Sequence, residues 1–333
     1  MKSYPLALLS YVRDLFIRAG VTIEISVSNI VKRIPPQIAK QCSILTFLSI
    51  YRGRRLSSGA EAKLAEHKRI GIIGAGKMGA ALISGLLRAG VVEKDNLCAS
   101  DISTQRCDQV SKTYGVKCLS DNKTVVSNSD IIIVAVEPGH VKTVLEDVGE
   151  ELTGKLLISI AAGVSIAFLK KNLQRTIPIV RAMPNNPCMV GEGITVLAPS
   201  PEASEKDLKA VEAIFSSVGK VMILNERFFD AVTGLSGSGP AYIYLVIEGL
   251  VEGGVKAGLP QDKALILAAQ TVLGAGKMIL ETGLHPAKLR EMATTPGGTT
   301  IEGLKELERG NIKAALGMAV ESAGRRSREL VKT

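Results

Sequence analysis

Tryptophan is absent from this 333-residue chain, aromatic residues make up 4% of it, and histidine occurs only three times. His67, His140 and His285 are scattered without a metal-ligand spacing, so zinc catalysis and a histidine-based triad find no support. Cysteine is also scarce. Cys42, Cys98, Cys107, Cys118 and Cys188 form no CxxC pair and are odd in number, which predicts reduced thiols rather than a disulfide scaffold or a metal site. The uncharged apolar run Leu156–Leu169 contains Ser159, Gly163 and Ser165 and falls short of the roughly 20 residues that cross a bilayer. Neither a transmembrane helix nor a membrane partner is therefore expected. The net charge of +9 is unevenly spread: residues 1–66 hold ten Lys and Arg against four Asp and Glu, whereas the rest of the chain is close to balance with 31 against 28. No dense basic stripe interleaves with stacking aromatics, so nucleic acid is not expected as a partner either. Apolar surface and glycine, by contrast, are plentiful. With 46% hydrophobic residues and 33 glycines the chain can build one large or two medium cores, which excludes a disordered protein.

Residues 1–66 read as an amino-terminal extension, poorly ordered and outside the fold. They mix short apolar runs, Leu6–Val12 and Ile44–Tyr51, with a basic cluster at Arg52, Arg54 and Arg55, and show no sustained period. A targeting peptide is the alternative, since the stretch is basic, acid-poor and ends in Arg54-Arg55-Leu56-Ser57-Ser58. No further Met precedes Met78, so a shorter product would start at another codon or arise by cleavage. The cytoplasm is the default location, with an organelle as the alternative if the extension is a transit peptide.

From Lys68 the pattern becomes regular. Arg69–Ile73 reads as a short buried strand, and Gly74-Ala75-Gly76-Lys77-Met78-Gly79 as a tight turn opening a helix that runs to Arg88 before Gly90. Asn96–Ser100 predicts a second strand and Thr104–Thr113 a helix; Asp130–Val136 and Lys155–Ala161 are apolar runs suited to parallel strands covered on both faces. This alternation implies a doubly wound α/β domain over residues 67–225. Beyond Asn225 the strand signal stops, and Pro240–Ala257, Gln261–Glu281, Ala287–Met292 and Ile301–Val331 read as helices separated by glycine and proline. Ala241–Leu250 is apolar around most of its circumference, which predicts a helical domain over 226–333 that buries surface against a partner subunit.

Gly74, Gly76 and Gly79 form a G-x-G-x-x-G between a predicted strand and helix. The first glycine permits the turn, the second lets a pyrophosphate approach the backbone, and the third allows helix to pack on strand. Ile73 through Met78 are thus candidate dinucleotide contacts. Asp101 follows the second strand by position, 22 residues after Gly79, where a carboxylate can accept from a ribose and repel a 2′-phosphate. That tips the balance toward NADH. Against it, Ser103, Thr104, Arg106 and Asn122 are near enough to reach a phosphate, and Asp101 can equally cap the following helix. Ala135-Val136-Glu137-Pro138 and Ala161-Ala162-Gly163 end two central strands, where ligands bind in such sheets; ordinary strand-to-loop punctuation is the alternative. Arg181–Pro187 reads as a proline-bracketed loop able to hold amides near a nicotinamide, or as a rigid turn. Thr294–Thr300 offers hydroxyls and backbone N–H groups to a small carboxylate, or is a simple capped turn.

Together these residues resemble the pyrroline-5-carboxylate reductase family. The likeness runs from about Lys68 to Leu330 and is carried most specifically by Asp230-Ala-Val-Thr-Gly-Leu-Ser-Gly-Ser-Gly-Pro-Ala-Tyr242 followed by Thr295-Pro-Gly-Gly-Thr-Thr300. It implies a Rossmann-like sheet followed by an all-helical dimerisation domain, NADPH or NADH as cofactor, and reduction of L-1-pyrroline-5-carboxylate to L-proline, the last step of proline biosynthesis. It also implies a homodimer, often assembled into a homodecamer. By position Thr300 matches the threonine that contacts the substrate ring nitrogen, and Thr295, Gly297, Gly298 and Thr299 match the loop that holds the substrate carboxylate. Three departures concern the cofactor or its surroundings: Glu137 where many relatives have lysine, Asp101 where users of NADPH often have a small hydroxyl residue, and Met292 where several have Asn or Asp. Two other readings are another reductase of the same build, such as a 3-hydroxyacid dehydrogenase or imine reductase, and a nucleotide-binding protein without catalysis. The first places a lysine where this chain has Gly-Ser-Gly-Pro, and the second has no use for the Thr300 loop.

Overall fold

The computed structural model describes residues 68–173 and 175–330; the 1–66 extension, with Cys42, and His67 lie outside the described residues. Four-residue apolar runs build the centre: β1 (Ile70–Ile73), β4 (Ile131–Val134) and β5 (Leu156–Ser159) are buried at every position, as strands covered on both faces must be. β2 (Leu97–Ser100), β3 (Lys117–Leu119), β6 (Ile179–Met183), β7 (Gly193–Pro199) and β8 (Gly219–Ile223) complete one eight-stranded sheet in the order β3-β2-β1-β4-β5-β6-β7-β8. Pairing is parallel throughout except between β6 and β7. The chain therefore reverses direction across the sheet between β1 and β4, and a crevice opens at their carboxyl ends.

Helices cover both faces. Alternate residues of the strands (Ile70, Ile72, Ile131, Ile133) pack with Leu82, Ile83 and Leu86 of α1 (Lys77–Arg88), with Val110 of α2 (Thr104–Tyr114) and with Val211, Ile214 and Phe215 of α6 (Glu205–Ser216). The opposite alternation (Ile132, Val134, Leu157) packs with Val126 of α3 (Asn122–Ser127), Leu145 of α4 (Val141–Val148) and Leu169 of α5 (Ile166–Leu173). Local sequence sets the ends. Ser103 caps α2, a Ser204–Asp207 capping box starts α6, and Gly90 and Gly115 take positive φ where α1 and α2 stop.

The helical part comprises α7 (Phe229–Val232), a π turn at Thr233–Gly237, α8 (Gly239–Lys256), α9 (Gln261–Thr282), α10 (Pro286–Met292), α11 (Thr299–Arg309) and α12 (Ile312–Glu329). Two expectations are corrected here. The single helix expected over Ile301–Val331 is two, broken at Gly310-Asn311, where Asn311 adopts φ +55; asparagine tolerates this region, and no proline marks the break. Arg181-Ala182-Met183, expected in a loop, is the end of β6, because apolar neighbours on both faces outweigh the downstream prolines. Among the described residues one helix, α9, is long and apolar enough to cross a bilayer by length and composition alone.

These helices own little core. No residue of α8 is buried and only Ala264 and Ala268 of α9 are, while Leu245 is 69% and Leu267 55% exposed. An apolar face of this extent is of the kind that a second protein surface covers.

Candidate functional site

The crevice between β1 and β4 is built by glycines with different duties. Gly74 takes φ +103, its N–H donates to the Ser100 carbonyl at 2.8 Å, and a Cβ there would fall 2.7 Å from the Ala135 carbonyl oxygen. At Gly79 a Cβ would fall 2.0 Å from the Gly74 oxygen, so α1 sits directly on the turn. Gly76, the N-cap of α1, has nothing within 4 Å of its Cβ position and no side chain caps the helix. The turn is thus closed at Gly74 and Gly79 and open at Gly76, beside unsatisfied first-turn N–H groups, which suits a diphosphate. Lys77 is exposed there, and Met78 packs on the core.

Asp101 is turned inward. Its Oδ2 accepts the Ala75 N–H at 2.9 Å and its Oδ1 accepts the Ser103 N–H at 2.9 Å, with 7% of the residue exposed. Arg106 Nη1 lies 3.5 Å from Oδ2, its side chain 59% exposed. The carboxylate therefore braces the glycine turn and the start of α2, instead of facing outward to a ribose, and its charge is offset locally. Ser103, Thr104 and Arg106 remain on the outer side. Asn122 is also engaged: its Oδ1 accepts from Ser100 Oγ at 2.7 Å, and its Nδ2 donates to Asp147 of α4 at 3.1 Å.

Neighbouring strand ends line the same crevice. Ala135 N–H donates to Ile73 O at 2.8 Å, Val136 is half-buried, Glu137 is exposed, and Pro138 opens a short 3-10 turn. Ile160 N–H donates to Val134 O at 3.1 Å, Ala161 is buried, Ala162 half-buried, and Gly163 turns with φ +76. The fold thus brings Ile73–Met78, Ala135–Pro138 and Ala161–Gly163 together at the carboxyl ends of β1, β4 and β5.

The threonine loop lies in the helical part, between α10 and α11. Thr294 Oγ1 donates to Arg290 O at 2.7 Å, Gly298 N–H donates to Thr295 O at 3.0 Å, and Gly297 takes φ +69. A Cβ on Gly298 would fall 2.3 Å from Thr295 Oγ1 and 3.1 Å from the Thr295 carbonyl oxygen, so a side chain there would displace the Thr295 hydroxyl. α11 begins at Thr299, earlier than the expected Ile301, with Gly298 as an N-cap that supplies no side-chain acceptor. Thr299 and Thr300 consequently occupy the first turn, exposed, with N–H groups free for a carboxylate. The recorded hydrogen bonds of Thr294–Gly298 are internal to this part of the chain, and none reaches the crevice.

Two partly buried polar links were not legible in the sequence. Arg181 pairs with Glu226 at 3.0 Å, and Asn185 donates to the Ser236 carbonyl at 3.0 Å while accepting the Ile194 N–H at 3.0 Å. Asn185 lies in the proline-bracketed loop already noted; nothing around Glu226 marks it. The four described cysteines are free thiols, and burial pushes Cys118 and Cys188 above the ordinary thiol range. His285 Nδ1 accepts the Ala287 N–H at 3.2 Å and so caps α10. Among the described residues no three His, Cys, Asp or Glu side chains group to hold a metal.

Comparison with known proteins bears on both halves. The family of NADP oxidoreductases described as coenzyme F420-dependent matches residues 69–163, and the pyrroline-5-carboxylate reductase dimerisation family matches residues 226–330. A pyrroline-5-carboxylate reductase of Methanosarcina acetivorans is 47% identical over 268 residues, covering 80% of this chain and 99% of the relative. One from Arabidopsis thaliana is 44% identical over 267 residues, covering 80% and 96%. The crystal structure of Plasmodium falciparum pyrroline carboxylate reductase with NADP bound superposes with a TM-score of 0.74 at 35% identity, over 80% of this chain and 98% of that one.

Proposed function

The chain belongs to the pyrroline-5-carboxylate reductase family, and on that premise we propose that the crevice at Gly74–Gly79 and the loop at Thr295–Thr300 are the two halves of its active site. It is an NAD(P)H-dependent oxidoreductase that reduces L-1-pyrroline-5-carboxylate to L-proline, the last step of proline biosynthesis. The observation that carries the site assignment is the contrast among the glycines: Gly74 and Gly79 are filled against backbone, and Gly76 alone is left open at a helix N-terminus without a cap.

The residues present fit a dinucleotide. First-turn N–H groups of α1 hold the diphosphate, and Ala135–Pro138 and Ala161–Gly163 flank the path to the nicotinamide. Bound cofactor supplies the hydride. On the substrate side, free N–H groups at the start of α11 hold the carboxylate, and Thr300 Oγ1 orients the ring nitrogen and relays its proton. A threonine hydroxyl is too weak an acid to donate strongly by itself. Its contribution is placement, so that donor and acceptor carbons meet at about 3–3.5 Å.

NADPH is the preferred cofactor in this reading. With Asp101 turned inward and offset by Arg106, the hydroxyls of Ser103 and Thr104 and the exposed guanidinium are left to meet a 2′-phosphate. Arg106→Ala is expected to weaken binding of 2′,5′-ADP about tenfold, the scale of one charge-assisted hydrogen bond, and to leave 5′-AMP unchanged in titration calorimetry. Equal loss for both ligands would contradict this assignment.

The domain division, with residues 67–225 binding the dinucleotide and 226–333 the partner and substrate, belongs to the same proposal, as do a homodimer assembling into a homodecamer and a cytoplasmic location. The exposed faces of α8 and α9 support the dimer. Introducing Leu245→Glu and Leu267→Glu together buries two charges in that face, and light scattering should then report monomer, with turnover lost. A variant that kept its oligomeric state would place the interface elsewhere.

A further inference from the structure

We infer that Arg181 and Glu226 form a positioning clamp that fixes how the helical part leaves the nucleotide-binding sheet, and thereby sets the reach between crevice and threonine loop. Arg181 lies in β6, 5% exposed; its Nη1 donates to Glu226 Oε1 at 3.0 Å, and its guanidinium stands 4.6 Å from the Phe229 ring centroid. Glu226 follows β8 and Phe229 begins α7, so both partners belong to the exit from the sheet. The same Glu226 Oε1 accepts the Ile166 N–H at 2.7 Å, at the start of α5 and just beyond the crevice turn at Ala161–Gly163. One carboxylate therefore ties together the crevice turn, the sheet and the exit to the helices. Asn185 adds a second tie, from the loop after β6 to the π turn at Ser236.

Stability alone is a poor reason for this arrangement. Apolar residues of similar volume often replace even fully buried ion pairs without loss; here the Glu226 side chain is 30% exposed, and Arg181 Nη2 is buried with no hydrogen-bond partner among the described residues. What the pair supplies and an apolar contact does not is direction. Domain boundaries move by default, whereas hydride transfer loses about a hundredfold for a 1 Å misplacement.

The inference rests on the reductase reading, and its test separates the two. In the double variant Arg181→Met/Glu226→Gln, methionine fills the slot over Phe229 and glutamine still accepts the Ile166 N–H, so no buried charge is left unpaired and the fold is kept. NADPH affinity, read from cofactor fluorescence, should stay within about twofold, while kcat falls about tenfold or more and the isotope effect with 4-deuterated NADPH rises as the hydride step becomes limiting. Arg181→Lys, which keeps the charge but loses the planar guanidinium over Phe229, should lie between. Amide hydrogen exchange across Glu226–Gly237, which requires no substrate, should accelerate about tenfold in the double variant. Unchanged exchange, or unchanged kcat and isotope effect in folded protein, overturns the clamp. Absence of turnover in the wild type with accelerated exchange in the variant would instead overturn the reductase reading and keep the clamp.

Discussion

Gly76→Ala is expected to weaken cofactor binding with little change in stability, and Gly79→Ala to destabilise the fold itself. The Gly76 backbone, at φ −68 and ψ −169, suits any residue, and its Cβ would enter open space. The cost to the fold should be about 1 kcal/mol or less. That methyl group would stand where the diphosphate must approach the backbone, so NADPH affinity should fall at least about tenfold, or ~1.4 kcal/mol. At Gly79 the added Cβ would lie 2.0 Å from the Gly74 carbonyl oxygen, and neither the turn nor α1 can yield without opening the β1 junction. We expect ~3 kcal/mol of destabilisation and a Tm lowered by roughly 6–12 °C. Calorimetric scans and cofactor titration on both variants check the pair. Parallel losses of stability and affinity in the two would mean that Gly76 is a packing glycine too.

Thr300→Ala should lower kcat about a hundredfold without abolishing it, and should leave NADPH affinity as it was. The hydroxyl stands in the first turn of α11, exposed, on a helix whose N-cap supplies no side chain, so its removal creates no cavity and breaks no cap. Folding should therefore be untouched, and the loss read in turnover is that of orienting the ring nitrogen. Thr300→Ser, which keeps the oxygen, should recover most of the rate. If Thr300→Ala turned over at the wild-type rate, the proton relay would have to be assigned elsewhere.

How much of this was visible beforehand depended on the range of the forces involved. The glycine turn, β1 and α1 follow from local rules: an apolar four-residue run, three glycines at fixed spacing, then a helical period ending near Gly90. The boundaries of α8, α9 and α10 follow from Gly258-Leu259-Pro260 and His285-Pro286, which act within a few residues. The break at Gly310-Asn311 escaped because it uses a left-handed asparagine instead of a proline, and β6 escaped because Pro184 and Pro187 outweighed the burial that sheet neighbours supply. Asp101 is the most instructive case. At the end of β2 an aspartate has the same sequence signature whether it accepts from a ribose or from its own glycine turn, and the outcome depends on the Ala75 N–H, distant in sequence. Glu226 depends on Ile166 and Arg181 in the same way. Residue type and spacing identified which segments meet at the crevice; the direction of individual carboxylates is a property of the assembled sheet.

The most direct test follows the hydride itself. Protein incubated with L-1-pyrroline-5-carboxylate and NADPH carrying deuterium at both C4 positions of the nicotinamide should form proline in an amount equal to the cofactor consumed, with one deuterium at C5 of the ring by mass spectrometry. Proline without the label, or cofactor consumption without proline, would contradict direct transfer between the crevice and the threonine loop.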